Sequence, residues 1–266
     1  MVPGRNLKKL IRDVGVAGQY LWQKGWAEKN AGNFSADVTD LVSVSAQVLK
    51  SLPIHPHPGP LPRIGGRSYL VTGTGTRFRD IQDNPESCLC VLRVAENLKG
   101  FHLLWGGKGA GFKPTSELPS HLLLQASLRR SNSKILLHTH PNELIALSHL
   151  PEIRGEAALN NALWKMIPEA KIYVPKGMGW VPYRLSGSRA LAEGTLKVLE
   201  KGHEIVLWEK HGVVAVGKDA LEAFDLIDAM NKSATLYLLC RGAGTRPRGL
   251  SRAQIREIGR SFPPKP

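Results

Sequence analysis

Apolar residues at Leu7, Leu10, Ile11, Val14, Ala17, Tyr20 and Leu21 recur every three or four positions, and the spacing predicts a helix over residues 7–26 with Gly25 near its stop. "NAGNFSADV" then reads as a turn feeding a strand, and the Pro- and Gly-rich stretch 51–67 as an extended loop. "SYLVTG", "CLCVLRV" and "FHLLWGG" are short, apolar and partly β-branched, so each reads as a strand, with the turn "TGTGT" after the first. "TSELPSHLLLQASLRRS" places Thr and Ser before Glu and then an apolar run, which is a helix start. "KILLHTH" reads as a strand and "PNELIALSHL" as a helix whose Pro141 sits where an N-terminal turn tolerates it. Residues 153–167 read as helix, "AKIYVP" as strand, and "SRALAEGTLKVLEKG" as a helix ended by Gly202. "EIVLWEKHGVVAVG" reads as strand, tight turn, strand. A long amphipathic helix capped by Asp219 follows, and a short helix near 251–262 comes last. Helices and strands alternate with no linker between them, so residues 1–266 are expected to form one α/β domain. The chain has no internal repeat and no dinucleotide or P-loop fingerprint.

A hydrophobic content of 42% supplies a sizeable core, and no apolar run approaches the length of a membrane span. Asp13, Gln19, Gln23 and Lys24 interrupt the first apolar stretch, which argues against a signal peptide. Cys88, Cys90 and Cys240 are an odd number at non-framework spacing, so a reduced, cytoplasmic setting is expected. Lys and Arg number 36 against 22 Asp and Glu, a net charge of +14. Such a field draws in anions of every kind, including phosphorylated metabolites. The densest basic segment, "CRGAGTRPRGLSRAQIREIGR", carries no base-reading motif, so no nucleic-acid partner is expected.

The chemistry-bearing residues begin with "LLHTHPNELIAL". Residues two apart on a strand share a face, so His138 and His140 can both reach one metal ion. They can equally be two strand-end imidazoles with ordinary hydrogen bonds. A third ligand is offered by His211 in "LWEKHGVV", which can also be a plain turn histidine. His55 and His57 repeat the spacing in a loop too loose to orient them, while His102, His121, His149 and His203 fall inside helix or strand patterns or at exposed helix ends. Glu117 stands at a helix start, either as a ligand or as the glutamate of a capping box. Three polar, Gly-rich or helix-start segments suit a small anion: "NAGNFS" (30–35), "TGTGT" (72–76) and Thr115–Ser116. Together they suggest a phosphorylated substrate.

Taken in order, "KNAGNFS", "VTGTGTRFRDI", "HLLWGG", "PTSELPSH", "LLHTHPNELIAL", "LWEKHGVVAVG" and "FDLIDAMNKSA" resemble the class II aldolases of sugar phosphates over about residues 15–262. "TSELPSH", "HLLWGG" and the long insertion between the two anion turns resemble the rhamnulose-phosphate branch more than the compact fuculose-phosphate branch. The resemblance implies a three-layer α/β/α sandwich around a largely antiparallel sheet. It implies one zinc ion per subunit on His138, His140 and His211, with Glu117 as fourth ligand in the absence of substrate and as catalytic acid/base. The substrate phosphate would lie among Asn30, Gly32, Asn33, Gly73, Thr74, Thr115 and Ser116. A homotetramer is implied, with Glu169 reaching a neighbour's site to handle the aldehyde oxygen. Once Glu117 leaves the metal, burial beside apolar groups is expected to raise its carboxyl into a range useful for proton transfer. Two departures stand out: Ala31 replaces an expected glycine, and the stretch around Met166–Ile167 differs from the family's polar loop. Epimerases and dehydratases of the same fold would share the metal, and cytoskeletal relatives would lack its ligands.

Overall fold

The computed structural model describes residues 2–57, 59–129 and 132–263. Its first helix, α1 (Arg5–Gln23), forms on the expected face, burying Leu7, Ile11, Val14, Ala17 and Leu21 and ending ahead of Gly25. Strand β1 (Asn33–Asp37) follows, then α2 (Ala46–Ser51), capped by the Ser45 hydroxyl and not anticipated from the pattern. The 51–67 stretch is mostly loop, yet His55–Pro56 adds a two-residue edge strand, β2. Strand β3 (Ser68–Thr72), helix α3 (Pro85–Cys88), β4 (Leu89–Val94) and β5 (Gly100–Gly106) come next. Helix α4 (Leu118–Leu128) leads into β6 (Ile135–Thr139), and α5 (Asn142–Leu147) and α6 (Glu156–Leu163) occupy the next expected helical stretches.

One element reverses expectation. "AKIYVP" forms no strand; it lies largely within helix α7 (Pro168–Tyr173). Pro168 at the first helical position and Glu169 in the first turn start that helix, and this outweighs the strand tendency of Ile172 and Tyr173. The strand comes later as β7 (Gly179–Val181), before α8 (Arg189–Glu200), β8 (Ile205–Trp208) and β9 (Gly212–Gly217). Helix α9 (Ala220–Gly242) is capped by Asp219, and α10 (Arg252–Ser261) by a Ser251–Gln254 capping box.

Among the described residues the strands form one sheet in the order β2-β5-β4-β3-β1-β6-β9-β8-β7, antiparallel throughout except for β7 beside β8. The period-2 alternation sorts side chains to two faces. Phe34, Ala36, Ile135, Leu137, Ile205, Leu207, Val213 and Ala215 meet α1, α5, α6 and α9 on one side. Leu136, Val206, Val214 and Val216, with Tyr69, Val71 and Leu92, face α4 and α8 on the other. The expected three layers are therefore present. Each fully buried Leu, Ile or Phe contributes about 1.5–3 kcal/mol, which is why both faces of the central strands read as nearly continuous apolar runs. No helix among the described residues is long and apolar enough to cross a membrane.

Candidate active site

The register of β1 on β6 sets the site. Asn33 pairs with His138, and Ser35 with Leu136, so alternation sends Asn33, Ser35 and His138 to the face covered by α4. His140 follows just beyond β6, where its backbone N–H donates to the Trp26 carbonyl and clasps the segment after α1. His211 comes from the short turn between β8 and β9, anchored by the Lys210 N–H donating to the Ser148 hydroxyl. The three rings form a triangle with centroids 4.9–5.4 Å apart: 5.1 Å for His138–His140, 4.9 Å for His138–His211 and 5.4 Å for His140–His211. One potential ligand atom from each lies within 4.8 Å of the others, the one such group among the described residues. His55, by contrast, stacks on Phe101, and His57 pairs with the Gly59 carbonyl.

The hydrogen bonds suit a metal. His138 Nδ1 donates to the Val213 carbonyl at 2.8 Å, and His140 Nδ1 pairs with Glu28 Oε1 at 2.9 Å. Both contacts hold the proton on Nδ1 and leave Nε2 with its lone pair, the tautomer and outer partner that metal-bound imidazoles adopt. His211 Nδ1 is buried with no hydrogen-bond partner. An orphaned nitrogen in an imidazole triangle is what a cation position leaves behind. Burial holds the His138 imidazole down to about 3, so it is neutral at pH 7 and its lone pair is available.

Gly212 makes the triangle possible. A Cβ there would meet the Thr139 carbonyl oxygen at 2.6 Å, His140 Cδ2 at 2.9 Å and His138 Cε1 at 3.0 Å. Gly212→Ala is therefore expected to lower stability by about 1–3 kcal/mol through overpacking and to weaken metal binding in the same variant. Thermal melts and a zinc titration check this; unchanged affinity would show that the rings need no such clearance. Gly32 is required differently. It has φ +80°, and a Cβ would lie 2.7 Å from the His138 carbonyl oxygen.

Glu117 is the residue before α4, but its side chain caps nothing there, so the capping-box reading fails. Its carboxylate is buried and accepts from Asn33 Nδ2 at 3.0 Å and from the Ser186 hydroxyl at 2.8 Å. Burial pushes this carboxyl upward, as expected from sequence, but nearby His138 and the Ser186 and Asn33 donors outweigh it and bring it down to about 2. Glu117 is thus an ionised carboxylate near the triangle, outside the group of three imidazoles.

The anion segments are drawn together only in part. Gly73 bridges Pro114, the Thr74 N–H donates to the Lys113 carbonyl and the Thr74 hydroxyl to the Pro114 carbonyl, so the 72–76 turn lies along Lys113–Thr115. The Gly73 and Thr74 amides are thereby spent inside the fold, Gly73 donating to the Cys88 carbonyl. Thr115 is buried, its hydroxyl accepting from the Glu117 N–H at 3.3 Å, while Ser116, Thr74 and Asn30 are exposed. Asn33 and Gly32 touch the site directly. Glu169 is exposed on α7, which packs on α9 and α10.

Sequence reasoning passed over three contributors. Ser186 belongs to the loop between β7 and α8, with no motif to mark it. Glu28, next to the first anion turn, orients His140. His121 falls inside a helix pattern with nothing else to mark it, yet its position one turn after Glu117 puts both on one side of α4.

Comparison with known proteins places this geometry. The family described as Class II Aldolase and Adducin N-terminal domain matches residues 12–238. The chain is 39% identical over 259 residues to a rhamnulose-1-phosphate aldolase of Bacteroides thetaiotaomicron, covering 96% of this chain and 95% of that one. It is 32% identical to the rhamnulose-1-phosphate aldolase of Shigella boydii over 246 residues, covering 91% and 89%. A crystal structure of a sugar-phosphate aldolase from Thermotoga maritima superposes with a TM-score of 0.76 at 31% identity, covering 92% of this chain and all of the other.

Proposed function

The chain belongs to the class II aldolase and adducin N-terminal domain family, and from that premise we propose that it is a zinc-dependent aldolase of rhamnose breakdown. The reaction is the reversible cleavage of L-rhamnulose 1-phosphate to dihydroxyacetone phosphate and L-lactaldehyde. Nearly full-length likeness to rhamnulose-1-phosphate aldolases supports the choice of sugar. The observation that carries the chemistry is the triangle of imidazoles beside an ionised, buried Glu117.

His138, His140 and His211 would hold the zinc, one ion per subunit, with Glu117 as a further ligand before substrate arrives. Three neutral imidazoles leave the cation its full charge, which a thiolate set would not. Zinc bound there supplies Lewis-acid stabilisation of the negative charge left on the ketone fragment when C3–C4 breaks. Glu117 moves the proton at C3: as a carboxylate it removes one in the condensation direction, and in cleavage it takes one up from solvent and delivers it as dihydroxyacetone phosphate forms. The C4 hydroxyl loses its proton as the aldehyde forms, and Glu169 from an adjoining subunit of a homotetramer receives it. Asn30, Gly32, Asn33, Gly73, Thr74, Thr115 and Ser116 surround the phosphate. The Gly73 and Thr74 amides would have to leave their backbone partners to reach it, so Asn30, Asn33 and Ser116 are the readier donors.

The test is product identification. Purified protein given L-rhamnulose 1-phosphate, L-fuculose 1-phosphate or L-ribulose 5-phosphate is expected to release lactaldehyde and dihydroxyacetone phosphate from the first. A chelator should abolish the reaction and zinc restore it. Preference for the fuculose ester, or epimerisation of the ribulose ester, would reassign the substrate; turnover untouched by chelation would remove the metal.

A further inference from the structure

Beneath Glu117 lies a buried row of polar groups, of which the proposed reaction itself uses only Asn33. Gln125, His121 and Asn33 are each under one-tenth exposed, and Ser35 is fully buried. Gln125 Nε2 lies 3.0 Å from Ser35 Oγ, and also 3.2 Å from the Ser35 carbonyl and 3.2 Å from the Lys134 carbonyl. Ser35 Oγ is 2.7 Å from His121 Nδ1, His121 Nε2 is 2.5 Å from Asn33 Oδ1, and Asn33 Nδ2 is 3.0 Å from Glu117 Oε2.

Both ends of the row fix its direction. At the inner end, only an N–H₂ group can face two backbone carbonyls, so the Gln125 amide donates and its own oxygen is left unpaired. At the outer end an ionised carboxylate can only accept, so Asn33 must present N–H₂ to Glu117 and its oxygen to His121. His121 Nε2 must then carry the proton, and Nδ1 must accept from the Ser35 hydroxyl. From the Gln125 amide outward every bond along the row runs the same way, toward the carboxylate. A neutral imidazole is required in the middle, and full burial keeps His121 neutral.

The geometry points to His121 as a positioning residue: its Nε2–H locks the Asn33 amide in the one orientation that donates to Glu117, and so aims that carboxylate. This rests on the function proposed above. Without the lock, the Asn33 amide can turn its oxygen to Glu117, and repulsion moves the carboxylate off its place.

The test uses full-length protein with His121→Leu and His121→Gln, the glutamine amide restoring a donor near the Nε2 position. In zinc-loaded enzyme, His121→Leu is expected to lower kcat about 10–100-fold, the usual cost of an outer partner, with KM and zinc content little changed. His121→Gln is expected to recover most of the loss. A rise in KM at constant kcat would assign the row to phosphate binding instead, and equal loss in both variants would make His121 mere packing. A second readout needs no turnover and no metal: imidazole nitrogen shifts of metal-free wild-type protein at neutral pH. They are expected to show His121 protonated on Nε2 alone. Protonation on Nδ1 alone reverses the row and overturns the inference even if the leucine variant does not fold. If wild-type protein cleaves no sugar phosphate, the functional reading fails by itself, and the nitrogen shifts still decide whether the Asn33 amide is locked.

Discussion

Glu117→Gln is expected to fold, to keep its zinc and to lose about 10²–10⁴-fold in kcat, the usual cost of removing one positioned acid/base. The substitution is conservative in shape and the surroundings can accommodate it. Its amide oxygen can accept from Asn33 Nδ2 as Oε2 does, and its N–H₂ can donate to Ser186 Oγ, since a hydroxyl that now donates can turn to accept. No buried polar group is stranded, so a fall in activity reports lost proton transfer and not lost structure. With the three imidazoles intact, metal analysis should show near-normal zinc. Turnover within severalfold of wild type would remove Glu117 from the chemistry. A variant that loses zinc as well as turnover would make its role as ligand the dominant one.

His140→Ala is expected to lose zinc and activity together. Outer-partner changes typically cost about 10–100-fold in metal affinity, and removal of a direct ligand should exceed that. His140 is the cleanest of the three imidazoles for this test. Its one polar side-chain partner among the described residues, Glu28, has a side chain 63% exposed, so water can solvate the carboxylate left behind. His138 would be a poorer choice, because it is packed against Trp208 at 4.4 Å between centroids and is almost fully buried, so an alanine would open a cavity. Purified His140→Ala with full zinc occupancy would contradict the assignment, and thermal melts should place it near wild type.

Most of the fold was legible because both faces of the central sheet are buried. The runs "KILLHTH" and "EIVLWEKHGVVAVG" signal strands by sheer apolarity, and Gly202 and Asp219 mark helix ends by local chemistry. What escaped was decided by neighbours. "AKIYVP" has strand-forming residues, but Pro168 starts a helix that packs on α9 and α10. The three-residue strand Gly179–Val181 is too short for a period to show, and it exists because β8 offers it an edge. In the site, spacing and strand ends marked the three histidines only as candidates, and a helix start did the same for Glu117; the resemblance to the class II aldolases supplied the assignment. Ser186 was not, because 69 positions separate it from Glu117 and nothing local predicts their meeting. The lowered Glu117 carboxyl was not legible for the same reason: burial is readable from an apolar run, whereas the groups that override it, His138 first and then the Ser186 and Asn33 donors, come from β6, a distant loop and β1.

The pairing of Asn33 with His138 and of His138 with Val214 ties the imidazole triangle to sheet alignment. Sliding either partner strand by a single position would turn alternate side chains into the opposite layer, among the leucines under α1 and α9. A misaligned chain would hold no intact cation trap, so zinc uptake during refolding should act as a proofreading signal for the middle strands.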